Sequence, residues 1–90
     1  MKMQNLSTNK ESNQSFKTPD LYLAAFLNIR GLILDKCETE KGRIFFVFQN
    51  KDNLEELVRD YRNDAAVPVL TYKATLRDFK SIIMEIRRDF

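Results

Sequence analysis

The strongest structural signal in this chain is a repeat of apolar residues near its C-terminus. Alternating steps of three and four residues separate Val69, Tyr72, Leu76, Phe79, Ile83, Ile86 and Phe90. Because an α-helix has 3.6 residues per turn, this spacing places these side chains along one side of a helix, in the a and d positions of a heptad. We expect a helix that begins at about Pro68 or Thr71 and continues to Arg88.

A helix is also predicted over about residues 19–30. Thr18 is a good N-cap, and Pro19 fits the first helical position because its missing N–H has no partner to lose there. Gly31 supplies the left-handed residue that ends many helices. The residues between them are apolar on nearly every side, so we expect this helix to be buried on more than one face.

Between these two helices the pattern is typical of β-strands. Residues 32–37 and 43–49 are rich in apolar, β-branched and aromatic side chains and flank a polar loop. A further amphipathic helix is predicted to begin near Asp52. The expected fold is α+β in the order α-β-β-α-α, with a two-stranded antiparallel hairpin packed against three helices. The segment 66–70 is a candidate for a short third strand.

The N-terminal segment limits the part of the chain that folds. Residues 1–15 are almost all polar, so they bury too little apolar surface to offset their ordering entropy. We predict a disordered tail over 1–15 and a single compact domain over 16–90. The most apolar stretch, 21–34, is too short to cross a bilayer and contains Arg30. We therefore expect a cytoplasmic protein with no membrane contact.

The chain contains few of the residue types that most enzymes use in catalysis. The chain has no histidine, the commonest general base near neutral pH, and its two glycines cannot form a glycine-rich phosphate loop. The one cysteine, Cys37, lies in a predicted strand, and we interpret it as a small apolar residue. We expect no enzymatic activity, no catalytic residue, no cofactor, no metal site and no small-molecule substrate. A hydrolase that uses carboxylates and a metal is the remaining enzymatic alternative, and it predicts tight binding of divalent cations.

The C-terminal helix carries a candidate contact surface for an anionic partner. The net charge is only +2, so a local cluster must provide any attraction to nucleic acid. Lys73, Lys80 and Arg87 recur every seven residues, and together with their neighbours they form a positive ridge beside the apolar seam. The candidate contact residues for nucleic acid or an acidic protein surface are Lys73, Arg77, Lys80, Arg87 and Arg88. The alternative interpretation is an ordinary solvated helix face.

Surplus apolar surface is a second candidate for a contact. A two-stranded hairpin is marginal by itself, and the Phe-rich second strand presents a hydrophobic edge that favours pairing. Self-association, for instance as a homodimer, would cover this surface. The candidate residues for self-association are Leu23, Phe26, Phe45 and Val47. The alternative is that the three helices enclose the hairpin completely.

Three segments carry a family resemblance, namely residues 16–27, the strand end 46–48 and residues 76–83. Together they resemble an uncharacterised family of short bacterial and mobile-element domains, over about residues 16 to 85. The resemblance implies a bacterial, phage or plasmid setting and a compact domain that stands nearly alone, and it brings no known activity. Among the polar residues of the pattern, Thr18 and Asp20 are explained as helix-start residues, whereas Arg77 and Lys80 have no structural explanation.

Two functions are therefore compared. The leading hypothesis is a non-catalytic binding or accessory module that contacts nucleic acid through the basic side of the C-terminal helix. The alternative is a protein–protein interaction factor, such as an accessory subunit or an inhibitor encoded by a mobile element, that acts through an apolar surface. A steep fall of affinity with salt is expected of the first function and not of the second.

Overall fold

Three helices pack on one face of a three-stranded antiparallel sheet. The computed structural model describes residues 15–49 and 53–88. In chain order, its elements are β1 (Ser15–Thr18), α1 (Leu21–Ile29), β2 (Leu34–Glu40), β3 (Arg43–Gln49), α2 (Leu54–Arg62) and α3 (Val69–Arg88). The strand order is β1-β3-β2. The prediction of an α+β fold in which three helices cover a hairpin is confirmed, and the chain adds a strand at its N-terminal end.

The position predicted for the third strand was wrong. β1 pairs with β3 so that Phe16 faces Phe48 and Thr18 faces Phe46. The segment 66–70 forms no strand, because α3 already begins at Val69. β1 and β2 pair with the two edges of β3, so the backbone hydrogen-bonding groups along both of its edges have partners. Ser15, which was predicted to belong to the tail, is part of β1, and the rest of that prediction falls outside the described residues.

The start of α1 is defined by Asp20 and not by Thr18. One carboxylate oxygen of Asp20 accepts hydrogen bonds from the backbone N–H groups of Tyr22 at 2.9 Å and Leu23 at 3.2 Å, as an N-cap does. The Thr18 hydroxyl accepts a hydrogen bond from the Asp20 N–H at 3.1 Å. The helix therefore begins two residues later than predicted, after a short hydrogen-bonded turn through Pro19.

The end of α1 is closed by Gly31, as predicted. Gly31 has a φ of 105°, which favours glycine. Its N–H donates to the Asn28 carbonyl at 3.1 Å, and the Leu32 N–H donates to the Leu27 carbonyl at 3.0 Å. These two bonds define a Schellman motif, in which an apolar residue after the glycine packs back on the helix. Leu32 is fully buried in this position.

The core lies between the helices and the face of β3 that carries Phe46 and Phe48. The predicted burial of α1 on more than one side is confirmed, because four consecutive side chains are buried: Ala24, Ala25, Phe26 and Leu27. α2 contributes Leu57, and α3 contributes Phe79, whose ring stacks on Phe46 with a centroid distance of 5.2 Å. These contacts fix which side of each helix remains at the surface.

The opposite face of the sheet is covered by charged side chains. This sheet outer face carries Phe45 and Val47 of β3 beneath lysine and glutamate side chains of β1 and β2. Lys17 pairs with Glu38 at 3.5 Å and with Glu40, and Lys36 pairs with Glu38 at 3.4 Å. Since both lysines are the cross-strand neighbours of Val47, their aliphatic stems lie on either side of it.

Candidate nucleic-acid interface

α3 is held against the rest of the chain along one side. Phe79 is its buried residue, and Tyr72, Ile82 and Ile83 pack around the core. The Tyr72 hydroxyl donates a hydrogen bond to the Tyr22 carbonyl of α1 at 3.1 Å. The predicted apolar seam therefore faces the core at its centre, whereas Val69 at its start is 74% exposed and Phe90 lies outside the described residues.

The side of α3 that points away from the core is cationic. All five candidate residues for an anionic partner are exposed there: Lys73, Arg77, Lys80, Arg87 and Arg88. At 100° per residue they fall within an arc of about 100° around the helix axis, and they extend over about 22 Å along it. We call these five residues the α3 cationic face. Sequence and structure agree that they lie together on one surface.

The cations of the α3 cationic face form no ion pair with a carboxylate in the described ranges. The two acidic residues within α3, Asp78 and Glu85, lie about 120–140° around the axis from Lys73, and Glu85 lies one turn before Arg88. In the described ranges, the recorded ion pairs involve Lys17, Lys36 and Arg30 as cations, and none involves the α3 cationic face. The outward side of α3 is thus a row of positive groups without an internal partner among the described residues.

Exposed apolar side chains share this surface. Leu70 is 78% exposed and Met84 is 63% exposed, and both lie within the same arc as the α3 cationic face. Neither of them is predicted from the sequence to contact a partner. A signal was present, because Leu70, Arg77 and Met84 are separated by seven residues and therefore return to the same side of the helix. This surface therefore combines positive charge with exposed apolar side chains.

The candidate residues for self-association are mostly covered by the chain itself. Phe26 is only 3% exposed and belongs to the core, and Val47 is only 1% exposed beneath the lysine stems of the sheet outer face. These two residues were wrongly predicted to offer a surface for a second copy. Leu23 is half-buried and packs against the core, and Phe45 is half-buried with the Lys17 ammonium 5.3 Å from its ring centroid.

The cysteine and two of the tyrosines, the other side chains with ionisable thiol or hydroxyl groups in the core region, are half-buried. Cys37 lies opposite Phe46 in the sheet, and burial raises the pKa of its thiol, so the reactive thiolate is disfavoured. Burial also raises the pKa values of Tyr61 and Tyr72. Within residues 15–49 and 53–88, no group of three or more His, Cys, Asp or Glu side chains is placed to hold a metal ion.

Most of the chain matches the model of one protein family. Residues 13–85 match the family described as "Domain of unknown function (DUF5659)", and the chain belongs to that family. No curated protein and no solved structure matches it. The resemblance to an uncharacterised family is thereby confirmed, while its bacterial or mobile-element setting stays a prediction. None of the helices in the described ranges has the length and hydropathy needed to span a bilayer.

Proposed function

We propose that this chain is a non-catalytic binding module that contacts nucleic acid through the α3 cationic face. The observation that carries the proposal is the row of exposed lysines and arginines with no carboxylate partner among the described residues. A nucleic-acid backbone releases condensed counterions when such groups neutralise its phosphates, which makes this contact favourable and salt-sensitive. A cytoplasmic location and a bacterial, phage or plasmid setting belong to the same proposal.

The dimensions of α3 support this partner. A helix with its side chains is about 10–12 Å wide, and the major groove of B-DNA is about 12 Å wide. The side of α3 that carries the α3 cationic face is exposed, so it can approach a duplex without unfolding of the domain. Lysine and arginine supply the phosphate contacts that position a protein on the backbone.

A charge-reversal variant tests the proposal. We expect Lys73→Glu, Arg77→Glu and Lys80→Glu together to abolish binding to a duplex of about 20–30 base pairs at low salt, because attraction becomes repulsion. In the unaltered protein, log K should fall with log salt, and each single Lys→Ala or Arg→Ala change on this face should reduce the slope by about one. Fluorescence anisotropy measures both effects, and circular dichroism checks that the variant is folded.

A matched control variant separates the effect of the α3 cationic face from the effect of net charge. Lys41→Glu, Arg43→Glu and Arg62→Glu change the total charge by the same amount at exposed sites away from α3. We expect this control to keep most of the affinity. Equal loss in both triple variants, or unchanged binding by a folded α3 variant, contradicts the proposal and leaves the α3 cationic face as an ordinary solvated surface.

A protein partner is the second candidate, and the exposed apolar side chains favour it. Val69 and Leu70 stand side by side at the start of α3, and Ile33 is 71% exposed at the start of the hairpin. An accessory subunit or an inhibitor would bind through such residues with little dependence on salt. Affinity purification from the native host with and without nuclease separates the two functions, because only a nucleic-acid-mediated complex is lost on digestion.

A further inference from the structure

A groove lies between β1 and α2. It has a volume of about 450 Å³ and is lined by Phe16 of β1 and by one side of α2, namely Leu54, Glu55, Val58, Arg59 and Arg62. This volume lies in the range of known ligand sites, about 300–1,000 Å³. We propose that this groove binds an extended, acidic peptide segment of a partner protein, which adds as a fourth strand beside β1.

The sheet topology supports an extended peptide. β1 is an outer strand in the order β1-β3-β2, so along one side its backbone has no strand partner in the described sheet. A peptide that pairs with such an edge directs alternate side chains to the same face of the sheet as Phe16. There they meet Leu54 and Val58, which are half-buried and line the groove, while Leu57 of the same helix is buried in the core.

The charges of the groove define the chemistry of the peptide. Arg59 and Arg62 are both exposed, and within the described ranges neither forms a recorded ion pair. Glu55 lies one turn before Arg59 on the helix, yet these two side chains are not among the ion pairs of the described ranges. A carboxylate of the peptide can therefore bind the two guanidinium groups, while an apolar side chain fills the space beside Phe16.

The position of α2 is fixed independently of any ligand. The Tyr61 ring contacts the Phe26 ring of α1 at a centroid distance of 5.5 Å, and Asp60 pairs with Arg30 at 3.6 Å. Arg30 also donates a hydrogen bond to the Ala66 carbonyl at 3.2 Å. These contacts hold α2 in place, and the groove beside it is open in this arrangement.

Residues 1–14 of this chain are a competing occupant, because they lead directly into β1. The charge of this segment disfavours its binding in the groove, since the segment contains Lys2 and Lys10 and only one acidic residue, Glu11. The two arginines that line the groove repel a segment of this composition and attract an acidic one. The peptide of a partner is therefore the occupant that the charges favour.

A selection from random octapeptides displayed on phage tests the proposal with the full chain as bait. We expect enrichment of peptides that alternate apolar and polar residues and carry Asp or Glu near one end. Arg59→Glu with Arg62→Glu should weaken the binding of a selected peptide about tenfold or more, as expected for the loss of charged hydrogen bonds. Lys73→Glu with Arg77→Glu, which changes the net charge equally, should leave the affinity unchanged.

N-methylation of alternate amides in the peptide should abolish binding, because it removes the strand pairing.

Other results overturn the proposal. No enrichment, enrichment of basic peptides, or equal binding by the Arg59→Glu, Arg62→Glu variant shows that the groove does not read an acidic peptide. Insensitivity to N-methylation rules out strand addition. If removal of residues 1–14 shifts the NMR signals of Leu54 and Val58 in the free protein, the chain's own N-terminus covers the groove. A dimer that dissociates on Arg59→Glu with Arg62→Glu identifies a second copy as the occupant.

Discussion

The sheet outer face and the α3 cationic face both present lysines or arginines to solvent, but in opposite electrostatic settings. On the sheet, Lys17 and Lys36 each pair with a glutamate of β2, and their stems cover Val47. On α3, the cations stand in a row, and in the described ranges none of them pairs with a carboxylate. The same residue types therefore have different electrostatic surroundings in the two regions.

The contrast shows how the setting of a charge indicates its role. An ion pair that also covers an apolar side chain contributes to folding through packing as well as charge. A row of like charges without partners contributes nothing to folding and slightly destabilises its own helix through repulsion between neighbours such as Lys73 and Arg77. Residues of the second kind are the better candidates for contact with another molecule.

The largest effect is expected when α3 loses its attachment to the sheet. We predict that Phe79→Ala lowers the free energy of unfolding by about 3–5 kcal/mol, because it removes the buried ring that stacks on Phe46. Met84→Ala, on the exposed side of the same helix, should change it by less than about 0.5 kcal/mol. Urea denaturation measures both. A small loss for Phe79→Ala would mean that α3 is held mainly by contacts other than the stacked ring.

A smaller effect should separate the lysines of the two regions. Lys17→Glu places a third carboxylate beside Glu38 and Glu40, so we expect a clear drop in the urea midpoint. Lys80→Glu removes one member of an unpaired row and should leave the midpoint almost unchanged. For binding to duplex DNA the order should be reversed, with a loss of affinity for Lys80→Glu and no loss of affinity for Lys17→Glu. Equal effects of the two variants in either measurement would remove the distinction between the regions.

The sequence predicted the long-period features of the fold well. The spacing of the apolar residues in α3, the glycine closure of α1 and the cationic side of α3 all follow from repeats of several turns or from a residue with a special backbone preference. The observed start of α3 at Val69 lies between the two predicted starts, Pro68 and Thr71. In its first turn the Pro68 carbonyl accepts a hydrogen bond from the Tyr72 N–H at 2.9 Å. Such signals are local and strong, so tertiary contacts did not override them.

Short or nonlocal features were missed. β1 has four residues, too few for a recognisable alternation, and its pairing with β3 depends on residues about 30 positions away. The hairpin turn is shorter than the predicted five-residue loop, because Lys41 and Gly42 both adopt positive φ values of 51° and 81° and allow the strands to extend to the turn. The groove beside Phe16 was missed for the same reason as β1, since it exists only once that strand is in place.

The smallest predicted effect is a pH dependence confined to the sheet outer face. Hydrogen bonding to Glu40, together with the charges of Glu40 and Glu38, raises the pKa of Lys17 above its ordinary value of 10.5. The stabilisation from this lysine is therefore complete below pH 10.5 and is lost as the pH rises through the higher pKa of the folded state. We expect the stability difference between the unaltered protein and Lys17→Met to be constant near neutral pH and to shrink in strongly alkaline solution. Urea midpoints across the alkaline range give the test, and a difference for Lys17→Met that persists or grows at the highest pH would show that the Lys17 ammonium does not stabilise the sheet.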